Sequence, residues 1–135
     1  LNNKWEVLSK KHLEYFGVDE KVLEYPKSVE AYALADGADY LFVLVFVFVA
    51  PGTVSVTLYP GPKVYERRRK VLVAIREDVE EYALVKRLFR IEANTKNERK
   101  YISFMKHCGF EVETPLKKFY NGEDYLSWVM FPKVD

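Results

Sequence analysis

Apolar residues along the chain switch repeatedly between a helical and an extended period. Near the start, Trp5, Leu8, His12 and Tyr15 or Phe16 fall on one helical face. Asn3 with Glu6 three positions on forms a capping-box pattern, and Gly17 marks a stop. A short helical piece is expected over 19–25, before Pro26. Strands are expected over 29–34, 40–49 and 53–59, with Asp36-Gly37 and Pro51-Gly52 as the turns between them. The middle strand is rich in valine and phenylalanine without alternation, so both of its faces are expected to be covered. In the third, Val54, Val56 and Leu58 face one way and Ser55, Thr57 and Tyr59 the other.

Pro60-Gly61-Pro62 breaks the extended pattern, and a helix is expected to start within a residue or two. Val64, Val71, Leu72, Ile75, Val79 and Tyr82 carry its apolar stripe. Glu66, Arg68, Arg69, Lys70, Arg76 and Glu77 fall mostly on its solvated side. A strand is expected over 84–93. The stretch 90–111 then packs a strand, a helix and a new strand together with almost no slack. Thr95 and Glu98 make a second capping-box pattern; Tyr101, Phe104, Met105 and Cys108 form a helical stripe, and Gly109 ends it. Phe110, Val112 and Thr114 alternate with Glu111 and Glu113 at the start of a strand over 110–120. Asn121-Gly122 is a type I′ hairpin signal, and 124–131 pairs back. The predicted order is helix, three antiparallel strands, helix, strand, helix, two-stranded hairpin. This is an α+β chain, a three-layer arrangement with a mixed and mostly antiparallel sheet flanked by helices. With no linker, repeat or low-complexity tract, residues 1–135 read as one domain.

Composition narrows the function classes. Apolar residues make up 49% of the 135 positions, enough for a packed core. A net charge of +1 gives no general reason to expect nucleic acid or an acidic membrane as partner. One cysteine and two histidines cannot assemble a zinc site, and a single cysteine fits a reducing compartment such as the cytoplasm. The apolar run 40–50 is about half the length of a membrane helix. The polar N-terminus shows no signal-peptide pattern, and Leu1 in place of Met leaves room for an upstream segment.

The element order resembles the GCN5-related N-acetyltransferase (GNAT) family. The resemblance is carried by Asn94-Thr95-Lys96-Asn97, Phe104-Met105 and Gly109-Phe110, where that family has an asparagine at a helix start, an aromatic or aliphatic pair mid-helix and Gly-Phe at its end. Leu8-Ser9-Lys10-Lys11-His12, the tight strand pair and the basic helix after a glycine turn are also similar to small acetyltransferase-like proteins of short-tailed bacteriophages. The first strand of the family's fold is expected to be absent or to lie before Leu1.

The resemblance implies an acyl-CoA-dependent N-acyltransferase, with acetyl-CoA as co-substrate, an amine acceptor, no metal, and a monomeric or homodimeric state. Two neighbouring parallel strands, here 53–59 and 84–93, would splay so that the pantetheine arm can pair with exposed backbone near Val56 and Leu58. The diphosphate would sit at the next helix start on Gly61, Lys63 and Val64, with Arg67 supplying charge. Asn94 and Asn97 would border the donor from the other strand. Glu92 is the candidate general base and Tyr59 the candidate proton donor, with Tyr120 a second phenol to consider. Each has a plainer reading: Glu92 as a strand carboxylate paired with Arg90 or Lys86, the tyrosines as aromatic walls.

Other side chains are weighed the same way. Arg67, Arg68, Arg69 and Lys70 point in four directions on a helix, which fits a solvated face. His107 and Cys108 diverge by about 100° and cannot act as a nucleophile–base pair. The sequence departs from the family where Pro60 and Pro62 remove amide donors, and where Met105 stands at the position of a proton-donating tyrosine. Those departures motivate a second reading, a non-catalytic, phage-encoded protein on the same scaffold that binds a host or virion partner. A nucleic-acid binder using 67–70 is a third, opposed by the near-neutral charge.

Overall fold

The computed structural model describes residues 4–19 and 29–133. Among the described residues, seven strands form one sheet: β1 (Trp5–Val7), β2 (Val29–Asp36), β3 (Asp39–Ala50), β4 (Thr53–Pro60), β5 (Arg90–Lys96), β6 (Glu111–Tyr120) and β7 (Glu123–Met130). Their spatial order is β1-β2-β3-β4-β5-β7-β6. Every neighbouring pair is antiparallel except β4 and β5. That parallel pair needs a crossover, and α2 (Arg68–Lys86) supplies it. The other helices are α1 (Lys10–Phe16) and α3 (Arg99–His107).

The sheet divides two apolar clusters. Val71, Ile75, Val79 and Tyr82 of α2 and Met105 of α3 pack on Leu44, Phe46, Val54, Ile91 and Trp128. Leu13 of α1 packs on Ala31, Ala33 and Val43. Alternation along β2 and β3 sends these two residue sets to opposite faces, which produces the three layers. Among the described residues no helix is long and apolar enough to cross a membrane.

The structure corrects the expected boundaries in four places, one of them at α2, which starts at Arg68 and leaves Val64 in the turn before it rather than on the helix's stripe. The helix expected from Trp5 onward is shorter and follows a strand: β1 pairs with β2, placing Trp5 opposite Leu34. Ser9 starts α1, and its backbone N–H donates to Nδ1 of His12 at 2.9 Å. The extended conformation wins at Trp5 because the indole must reach the α2 side of the sheet, where it is buried. The Asn3 cap and most of the helical piece over 19–25 lie outside the described residues.

The strand expected over 84–93 begins later. Residues 84–86 complete α2, with Leu84 and Val85 on its exposed side, and Arg87 ends it in the left-handed region (φ 55°). Thr95, expected as a helix cap, belongs instead to β5 and lies opposite Leu126 of β7. Its Oγ1 accepts a 2.8 Å hydrogen bond from Trp128 Nε1, and α3 is capped at Glu98. The Asn121-Gly122 hairpin forms as expected, both residues having positive φ. β6 is the outer strand, and its register with β7 breaks between Leu116 and Tyr120.

Candidate functional site

β4 and β5 pair over three rungs only: Thr53 with Arg90, Val54 with Ile91, and Ser55 with Glu92. Beyond Ser55, β4 stays paired with β3 as far as Pro60. Beyond Glu92, β5 stays paired with β7 as far as Lys96. The two strands therefore part in a V. Because successive backbone groups of a strand point to opposite sides, alternate amides and carbonyls over 56–60 face the gap.

The V opens onto a cavity of about 280 Å³. Leu58, Phe42, Phe104 and Met105 line it from the layer of α2 and α3, and Val64 closes it behind β4. Thr57, Asn94 and Tyr125 line it from alternate positions on their strands, so the opening runs through the plane of the sheet. Lys96, Lys100, Tyr65 and Tyr101 complete the rim. The walls are thus apolar at the centre, with phenols, an amide and two ammonium groups around them.

The candidate residues divide unevenly over this geometry. Leu58, Val64 and Asn94 line the cavity. Val56 is buried in the main core next to the last rung. Gly61 is buried, and its N–H donates to Leu41 O at 2.9 Å. The Val64 N–H donates to Gly61 O at 3.3 Å. Both amides expected to face a phosphate therefore already have partners, one on β3 and one inside the loop. Lys63 lies 3.7 Å from Glu66. The Asn97 N–H donates to Asp124 O at 3.0 Å, and the residue does not border the cavity.

Arg67 is bound elsewhere too. Its guanidinium reaches Asp36 at 3.0 Å and Asp39 at 2.7 Å, clamping the β2–β3 hairpin to the start of α2. The hydrogen bond it donates to Asp39 holds the Arg67 pKa above its usual range. Asp39 is held below the usual carboxylate range by the Tyr15 hydroxyl and by Arg67.

Glu92 stands at the crotch of the V with Arg90 Nε 2.6 Å from its carboxylate. Arg90 also engages Glu113 of β6 through both terminal nitrogens. Glu92 is thus paired with Arg90, the contact its plainer reading named. Tyr59 is exposed and Tyr120 is exposed at the end of β6; neither lines the cavity. Cys108 is buried, and burial pushes its thiol up to about 12, which suits core packing. Among the described residues no three His, Cys, Asp or Glu side chains gather as a metal site.

Sequence reasoning passed over Tyr101. It sits one helical turn before Met105, so both reach the same cavity. Lys100 Nζ lies 4.9 Å from the centre of its ring. The signal was present, because Tyr101 and Met105 share the stripe that defines α3. Tyr65 and Tyr125 had no such marker, since their approach to the cavity depends on how the chain crosses the sheet.

No protein-family model matches the sequence, and no curated protein matches it. Solved structures do. A chimera of the Vibrio cholerae spermidine N-acetyltransferase SpeG and hSSAT superposes with a TM-score of 0.74 at 11% identity, over 94% of each chain. A Bacillus cereus IAA acetyltransferase gives 0.66 at 15% identity, over 94% of this chain and 97% of the other. A Bacillus subtilis acetyltransferase in complex with CoA gives 0.71 at 17% identity, over 95% and 97%. With its sheet order, its forked parallel pair and these likenesses, the chain has the GNAT acyl-CoA N-acyltransferase fold.

Proposed function

We propose that this chain is an acyl-CoA-dependent N-acyltransferase that moves an acetyl group from acetyl-CoA to an amine. One observation carries the reading: the fork beyond Ser55 and Glu92 opens directly onto the cavity. A similar fold has been solved in complex with CoA, which supports a thioester donor here. Bound acetyl-CoA would supply an activated acyl carbon for attack by the amine.

The chain's own groups have clear work to do. The unpaired backbone edge over 56–60 binds an amide-bearing arm as an added strand would. Phe42, Leu58, Phe104 and Met105 exclude water around the thioester. The Tyr101 hydroxyl is the candidate proton donor to the departing sulfur, a role Met105 cannot fill. Glu92 is already held by Arg90, so the amine proton is best given up to solvent water at the polar side of the V.

Titration calorimetry with acetyl-CoA tests the reading. Heat of binding and a rise in melting temperature at millimolar ligand are expected, because a ligand selective for the folded state stabilises it. Absence of both sinks the proposal. The engaged amides of Gly61 and Val64 and the clamped Arg67 favour a second reading, a phage-encoded, non-catalytic protein that uses the scaffold to bind a host or virion partner. CoA retained by the purified protein would weigh against it.

A further inference from the structure

Resting on the acyl-thioester reading above, we propose that Lys100 holds the phosphate end of the donor, in place of the loop between β4 and α2. Part of the loop's usual means is already committed. Pro60 and Pro62 have no N–H, and the Gly61 and Val64 amides donate to Leu41 O and Gly61 O. Arg67 is occupied by Asp36 and Asp39, and Lys63 faces Glu66. A phosphate arriving there would have to displace a carboxylate already in contact with each cation.

The cavity itself offers two ammonium groups. Lys96 is engaged by Glu123 at 3.1 Å, and that pairing raises its pKa. Lys100 lines the same cavity, is exposed, and among the described residues has no carboxylate partner. Its charge rests over the Tyr101 ring, 4.9 Å from the centroid. This is the cation at the cavity that an incoming dianion can take without breaking an ion pair. A flexible ammonium serves as a point charge for phosphate and does not require ordered amides.

The test uses two donors, one with and one without the 3′-phosphoadenosine diphosphate end. Acetyl-CoA and S-acetylpantetheine are titrated into the full chain, into Lys100→Ala, and into Lys63→Ala as a loop control. Wild type should bind acetyl-CoA more tightly than S-acetylpantetheine. Lys100→Ala should lose about tenfold or more in affinity for acetyl-CoA, the scale of one charge-assisted contact, with S-acetylpantetheine unaffected. Lys63→Ala should stay within about twofold, and Lys100→Arg should recover most of the loss. Equal acetyl-CoA affinity for wild type and Lys100→Ala overturns the proposal, as does a larger loss in Lys63→Ala. Binding of neither donor by wild type overturns the thioester reading itself. Lys100 is on the exposed first turn of α3, and matched melting temperatures without ligand verify that its variants fold.

Discussion

Trp5 Nε1 donates a 2.7 Å hydrogen bond to Asp78 Oδ2, joining β1 to α2 across 73 positions of chain. Both side chains are buried, at 6% and 5% exposure. A buried N–H without an acceptor costs about 1–3 kcal/mol. Asp78→Ala should therefore lower unfolding free energy by roughly that amount, about 1–3 kcal/mol, read from urea denaturation. Asp78→Asn keeps an acceptor and should cost less. Equal stability of wild type and Asp78→Ala would show that β1 is held by other contacts.

Gly61 is fixed by space. A Cβ there would lie 2.6 Å from Phe16 Cε1, 2.9 Å from Tyr40 O and 3.0 Å from Leu41 O. Backbone oxygens of β3 cannot retreat without breaking the sheet. Gly61→Ala should destabilise the fold by about 1–3 kcal/mol, the usual cost of overpacking. Thermal denaturation of the variant checks this, and an unchanged melting temperature would contradict the packing described.

Glu30 sets an acid-side limit on stability. Burial acts to raise its pKa, but the hydroxyls of Tyr32 and Tyr82 and the ammonium of Lys86 outweigh that and hold it below the usual value of 4.5. The hydroxyl contacts are both 2.7 Å. A folded-state pKa below the unfolded one means stability present above about pH 4.5 and lost as pH falls through the folded value. Glu30→Gln should be less stable than wild type at pH 7, and the gap should close towards pH 3. Parallel pH profiles for the two proteins would refute the assignment.

Tyr101 separates chemistry from binding. Tyr101→Phe keeps the ring and removes the proton. Under the transferase reading, turnover should fall about 10²-fold, the lower range for general acid catalysis, with donor affinity preserved. Steady-state kinetics beside calorimetry distinguish the two effects. Full activity in Tyr101→Phe would leave water as the proton source.

Periodicity identified the main elements because their buried stripes are long. Val71, Ile75, Val79 and Tyr82 recur over several turns of α2, and Val54, Val56 and Leu58 alternate with more exposed residues along β4. It failed where a local signal competed with a distant one. Leu84 and Val85 look like a strand start, yet they finish a helix whose stop is an arginine in the left-handed region. Thr95 looks like a helix cap, yet β7 holds it extended and Trp128 engages its hydroxyl. Trp5 reads as helical until its partner on α2 is known.

The candidate site shows the same division. The fork is legible once the two strands around α2 are recognised as parallel, and Leu58, Val64 and Asn94 follow from their places beside it. What occupies each polar group is not written in local spacing. Arg67 meets carboxylates some 30 positions earlier in the chain, and Glu92 meets Arg90, itself held by Glu113 on a strand 23 positions later. Motif reasoning counts donors; only the folded chain tells which are already committed.

Three rungs between β4 and β5 are all that stitch the four-stranded and three-stranded halves of the sheet into one surface. Mechanically this is a seam, and the shared helical layer, not the ladder, keeps the halves from shearing. Anything slender enough to lie along the open part of the seam and share its hydrogen bonds would act as a splint. Occupancy of the fork should then be visible as slower amide exchange in β4 and β5, far beyond the atoms it touches.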